Sequence, residues 1–183
     1  MPVVKLKPGT RASLSSICNK IDIGIGLKSE KFHILAFVDI AAVIKTVKAN
    51  EAVWYGEPRT EEGYIYDDTK NCNGTSWGDD DLRIVINFDK ITNDVERIFV
   101  VTNFFSGAKE NFGMVESGYI KVYNHETKEC LYEYDNIDWS MHKGKKGLIW
   151  CEIYPHKGEW KLKCVDTSID SDNLGEIVKK VSM

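Results

Sequence analysis

Three aspartates in a row, Asp79, Asp80 and Asp81, close the stretch Asn71–Asp81, NCNGTSWGDDD, with no basic residue inside it. From Glu61 to Asp81 there are seven acids (Glu61, Glu62, Asp67, Asp68, Asp79, Asp80 and Asp81) against one base, Lys70. That is a local charge of −6 in a chain whose net charge is −4. Two carboxylates about 4 Å apart repel by roughly 1 kcal/mol in water and about 4 kcal/mol at a surface-like dielectric. A cluster of this kind either stays solvated or is neutralised by a cation. Calcium takes about six to eight oxygens at roughly 2.3–2.6 Å, from carboxylates, amides and carbonyls. The stretch offers such donors in Asn71, Asn73, Thr75, Ser76 and the aspartates, with Gly74 and Gly78 for tight curvature. The spacing is not that of an EF-hand, because Thr69-x-Asn71-x-Asn73-Gly74 lacks the leading aspartate and no helices flank it. The residues alone leave two readings: an ion loop, or a solvated polar hairpin loop.

Other chemistries lack their residues. His33, His125, His142 and His156 have neither HxH nor HExxH spacing, so zinc has no support. No G-x-S-x-G, P-loop or dinucleotide glycine pattern occurs, and no acid–base pair stands out, so the expectation is a protein that is not an enzyme. Cys18, Cys72, Cys130, Cys151 and Cys164 show no CxxC spacing, which points to free thiols and a cytoplasmic location. The start MPVVKLKPGT lacks the apolar core of a signal peptide, and no run of about 18 apolar residues is present to span a bilayer. A peripheral membrane complex stays compatible with that pattern. Lys and Arg are scattered, which argues against nucleic acid and leaves protein partners. Trp77, next to Gly78 and the aspartates, either closes the loop apolarly or offers a binding surface.

The elements that must position these residues read as strands. KIDIGIGL places Ile21, Ile23, Ile25 and Leu27 on one face, and FHILAFVDIAAVI is an apolar run rich in branched residues. LRIVINF, ERIFVVTNFF, GYIKVYN, CLYEY, GLIWCEIY and WKLKCVD follow at short spacing, separated by turn residues. About ten strands without a βαβ rhythm predict an all-β sandwich of two antiparallel sheets. If Lys157-Gly158 is a two-residue turn, His156 faces Glu159, Glu152 faces Lys163 and Cys151 faces Cys164. The same register puts Trp160 on the core face and Trp150 on the outer face. Leu174, Ile177, Val178 and Val181 recur at helical spacing, with Ser171 or Asp172 placed to cap, so a short C-terminal helix is expected to pack on the sandwich. With 183 residues, 43% of them hydrophobic, and no linker, the chain reads as one domain over residues 1–183.

Several segments resemble the TerD domain of tellurite-resistance and general stress proteins. VVKLKPGTRASL looks like the family's opening, and IGIGL is similar to its glycine-containing second strand. FVDIAAVI is similar to its D-L-D-A-S-A-F-L segment, and CNGTSWGDDD to its glycine-rich loop closed by G-D-D-E. NFGMVESGYIKVYNHETKECLYEYD and CEIYPHKGEWKLKCV resemble two further blocks, so the likeness covers nearly residues 1–170. The resemblance implies a calcium-binding β-sandwich acting in a stress response through ion-dependent partner contacts. Carried over by position, it implies Asp39, Asn71, Asp79, Asp80 and Asp81 as ion ligands. The departures are specific: Phe37 replaces the first acid of D-L-D, Asp81 is a methylene shorter than the family's Glu, and Lys70 stands where an acid precedes Asn71. Asp67 or Asp68 would then stand in for that missing acid. Two further readings follow, a metal-independent interaction scaffold with a degenerate ion site and a lectin-like ligand binder.

Overall fold

Alternation of apolar and polar residues becomes two six-stranded sheets packed face to face. The structure, a computed structural model, describes residues 2–31, 33, 36–72 and 79–183. In chain order its strands are β1 (Val4–Lys5), β2 (Arg11–Ser13), β3 (Lys20–Lys28), β4 (Val38–Thr46), β5 (Asn50–Val53) and β6 (Ile65–Asp67). They continue as β7 (Leu82–Asn87), β8 (Val95–Phe104), β9 (Ser117–Asn124), β10 (Cys130–Tyr134), β11 (Gly147–His156) and β12 (Glu159–Ile169). The first sheet has the order β1-β10-β9-β3-β7-β6 and the second β2-β12-β11-β8-β4-β5. Among the described residues there are thus twelve strands, against the expected ten or so. One pairing departs from the antiparallel expectation: β1 runs parallel to β10. These two strands lie far apart in the chain, so no hairpin imposes opposite directions on them.

The inner faces supply the core. Ile21, Ile23 and Ile25 of β3 meet Ile40, Ala42 and Ile44 of β4 in one buried cluster, together with Ile84, Ile86, Val100 and Ile153. At about 25 cal/mol per Å² of apolar surface removed from water, this layer is the main stabilising term of the fold. β11 and β12 pair as their sequences predict, with His156 opposite Glu159, Glu152 opposite Lys163 and Cys151 opposite Cys164. Lys157 and Gly158 both have positive φ, 53° and 80°, which suits a two-residue hairpin turn. The two facing cysteines are free and buried, and burial pushes the Cys164 thiol up to about 12, so both act as small core residues.

Trp150 corrects the hairpin reading. It is fully buried in the main core and its indole N–H donates to Thr102 Oγ1 at 2.9 Å. The register of β11 shifts between Ile149 and Cys151 against both neighbouring strands. A bulge turns Trp150 inward beside Cys151, where simple alternation would put it on the opposite face. Trp160 is half-buried against the core, as expected. The C-terminal helix α1 (Leu174–Ser182) is capped by Asn173, whose side-chain oxygen accepts from the Glu176 N–H at 3.1 Å, and not by Ser171 or Asp172. Ser171 instead donates to the Glu176 carboxylate at 2.7 Å. The helix lays Leu174, Ile177, Val178 and Val181 on Ala41, Val43 and Val101, which covers the outer face of the second sheet.

Candidate functional site

Two recesses draw acids from the acid-rich segment. The first is a cavity of about 470 Å³ lined by Asp39, Tyr55, Pro58, Arg59, Asp67, Thr69 and Lys70. Asp39 enters it because it stands second in β4, paired with Asn103 of β8, and Asp67 because it ends β6. Asp39 is only 7% exposed; its Oδ1 accepts from the Ile40 N–H at 2.9 Å. Burial, with the Asp67 charge adding to it, raises the Asp39 carboxyl to about 7. Asp67 accepts from the Thr69 N–H at 2.8 Å, which starts the short 3₁₀ turn Thr69–Asn71. Lys70 and Arg59 also line this cavity, yet neither is ion-paired to Asp39 or Asp67.

The second recess, about 290 Å³, lies on the outer face of the first sheet and is lined by Asp22, Asn71, Asp79, Asp80, Arg83, Tyr123 and Lys128. Asp80 is 6% exposed and fully engaged. Arg83 donates to its Oδ2 at 3.1 Å, while the Tyr119 and Tyr123 hydroxyls donate to its Oδ1 at 3.2 and 3.1 Å. Burial first, and the Asp80 charge second, push both phenols well above their ordinary range, so both remain donors. The carboxylate rests on β3 at Gly24, where any Cβ would collide with it; Gly26 makes the same room for the Tyr119 ring. Here the two glycines of IGIGL find their reason: a side chain on either would unseat what lies above it.

The remaining predicted residues take other partners. Asp68 accepts from the Asn71 amide at 2.5 Å and lies 3.7 Å from the Arg83 guanidinium. Asp81 accepts from the Leu27 N–H at 2.8 Å, extending the β3–β7 ladder, and burial raises its carboxyl despite that bond. Asp79 is exposed on the rim of the second recess. Phe37 is half-buried against the core, and its carbonyl accepts from the Phe105 N–H at 2.8 Å. Trp77, Asn73, Thr75 and Ser76 lie outside the described residues. Among the described residues no three Asp, Glu, His or Cys side chains converge as a metal-holding group. The Asp39 cavity has two carboxylates in its lining, Asp39 and Asp67, together with the Thr69 hydroxyl.

Some of the residues that build the second recess escape a motif search. Asp22 is 2% exposed and holds Lys128 at 2.8 Å and the His125 ring at 2.5 Å. Its one signal is a charge amid the apolar alternation of KIDIGIGL. Arg83 sits two residues beyond the aspartate run, a place where a base could be noticed but not assigned. Tyr119 and Tyr123 read only as strand residues.

Comparison with known proteins accounts for the architecture. The TerD domain family matches residues 2–180. The chain is 25% identical over 175 residues to General stress protein 16U of Bacillus subtilis (strain 168), covering 88% of this chain and 89% of the relative. It is 26% identical over 130 residues to Stress response protein SCP2 of the same organism, covering 70% of this chain but only 64% of that longer relative. A solved homologue of telluride resistance protein (TerD) from Streptomyces coelicolor A3(2) superposes with a TM-score of 0.68 at 14% identity, over 91% of this chain and 98% of that one. The two-sheet sandwich, the helix on its outer face and the matched span agree: the chain belongs to the TerD domain family.

Proposed function

We propose that this chain is a non-enzymatic, cytoplasmic stress-response protein that binds calcium at the Asp39–Asp67 cavity and meets protein partners in the ion-loaded state. One observation carries the reading. Asp39 is a buried carboxylate beside a second carboxylate, with no basic side chain within ion-pair distance among the described residues. A charge held that way is costly unless a counter-ion joins it. A divalent ion would neutralise both acids, with Asp39 and Asp67 as its charged ligands and Thr69 within the same lining. Asp68 and Asp80 then serve the frame around it, because the Arg83 guanidinium already answers their charge. The stress-response names of the relatives supply the physiological context, and Tyr55, 63% exposed at the mouth of the cavity, supplies an aromatic contact surface whose order an ion would control.

Isothermal titration and thermal melting with calcium, against chelator, test this directly. Ligand at about 100 times its dissociation constant adds roughly 2.7 kcal/mol to stability. Heat of binding and a raised melting temperature are expected in the wild type and are expected to vanish in Asp39→Asn. Identical melting with and without millimolar calcium would remove the reading. The metal-independent scaffold is the second reading, favoured by Lys70 and Arg59 at the cavity. It predicts that same calcium-blind melting, together with partner capture that survives chelator.

A further inference from the structure

We infer that Arg83 is a built-in counter-cation for Asp68 and Asp80, so that these two acids are held together without metal. Among the described residues the ion capacity is then confined to the Asp39 cavity, a corollary that rests on the calcium reading; the role of Arg83 does not.

The geometry is that of a staple. Asp68 and Asp80 lie on opposite sides of residues 73–78 in the chain, and one guanidinium reaches both, Nη2 to Asp80 at 3.1 Å and Nη1 to Asp68 at 3.7 Å. Drawing two carboxylates from separate points of the chain onto one positive centre is what a divalent ion does. A guanidinium does it with fixed, planar donors and a charge that no physiological pH removes. The main chain places Arg83 for this role before its side chain acts. The Asp68 N–H donates to the Arg83 carbonyl at 2.9 Å, and the Arg83 N–H donates to Thr69 Oγ1 at 3.1 Å. Cross-strand pairing with Gly24 then sets the arginine beside the glycine seat on which Asp80 rests.

An ion at Asp80 would have to displace three donors, the guanidinium and two tyrosine hydroxyls. The other deep acid of the same recess, Asp22, is held by Lys128 and His125. Among the described residues of the recess only the exposed Asp79 carboxylate is left, and one carboxylate makes a poor calcium site. A run of three aspartates thus performs three tasks: Asp80 anchors, Asp81 extends a ladder and Asp79 faces solvent.

Calcium titration and thermal melting of wild type, Asp80→Asn, Arg83→Met and Asp39→Asn test the inference. In chelator, Asp80→Asn is expected to melt at least about 4 °C below wild type, because the pair works without metal. Melting level with wild type or above it, as relief of repulsion among bare acids would produce, overturns the inference. Asp80→Asn is expected to leave calcium stoichiometry unchanged and affinity within about twofold of wild type, since a difference that small is under half a kcal/mol. A tenfold loss of affinity or a lost equivalent would make Asp80 a ligand and sink the idea. Arg83→Met, which leaves Asp68 and Asp80 without their cation, is expected to gain one calcium equivalent per chain over wild type; a folded variant that gains none counts against it. If Arg83→Met does not fold, the two Asp80→Asn readouts still decide. Asp39→Asn separates the two proposals: wild-type binding in that variant removes the calcium reading at Asp39 and leaves Arg83 to be judged on the chelator arm alone.

Discussion

Asp39 and Asp80 are buried almost equally, at 7% and 6% exposure, and their surroundings make them opposites. Asp80 faces a guanidinium and two phenols. Asp39 faces backbone N–H groups and a second acid, and its carboxyl rises to about 7. Depth alone does not set the state of a carboxylate; the donors aimed at it do. One recess is therefore closed by the protein's own charges, while the other holds a buried carboxyl with no base paired to it among the described residues.

The comparison breaks most sharply at Asp80. Asp80→Ala would leave Arg83 with Asp68 alone and take the acceptor from two tyrosine hydroxyls, and about 3–5 kcal/mol of stability is expected to go, measured by urea unfolding. A loss under about 1 kcal/mol would mean that the recess is held by something else.

The opposite sign is expected at Asp39. Its folded-state value lies above the ordinary 3.8, so between about pH 4 and pH 7 the native protein holds a proton that the unfolded chain has released. The favourable state of Asp39 is fully present below the unfolded value, fades as pH rises toward 7, and leaves a buried charge above it. In chelator, Asp39→Asn is therefore expected to stabilise the protein by up to about 4 kcal/mol at pH 8 and to change little at pH 4. Equal effects at the two pH values would contradict the burial argument.

Smaller changes sharpen the picture of the Asp80 seat. Gly24→Ala puts a Cβ against the carboxylate, and an overpacking cost of about 1–3 kcal/mol is expected, absent when Asp80 is already Ala. Tyr123→Phe removes one of two hydroxyls on the same oxygen, and about 1 kcal/mol is expected because Tyr119 still donates. A double-mutant cycle with Asp80→Asn would show whether that loss runs through the carboxylate.

Much of the scaffold was legible from residue types. The β3 alternation, the β11–β12 register with Cys151 facing Cys164, and the helical spacing of Leu174, Ile177, Val178 and Val181 follow from local periods of two and 3.6. What failed did so where a local irregularity changed the count. The bulge at Ile149–Cys151 reverses Trp150, and nothing in GLIWCEIY announces it. Trp139, without a reading in the sequence, packs into the core beside Phe112 and Trp150. The acidic run was plain to see, but its members looked interchangeable.

From its sequence alone this protein was bound to a two-sheet β-sandwich with negative charge gathered in one short segment, because pattern and charge count belong to the chain itself. Which acid is answered and which is left bare was decided only when β3, β7 and β9 came together, bringing Gly24, Arg83, Tyr119 and Tyr123 to Asp80 and none of them to Asp39. Electrostatic energy depends on distances of a few ångströms between groups far apart in the chain, and those distances exist only in the folded molecule.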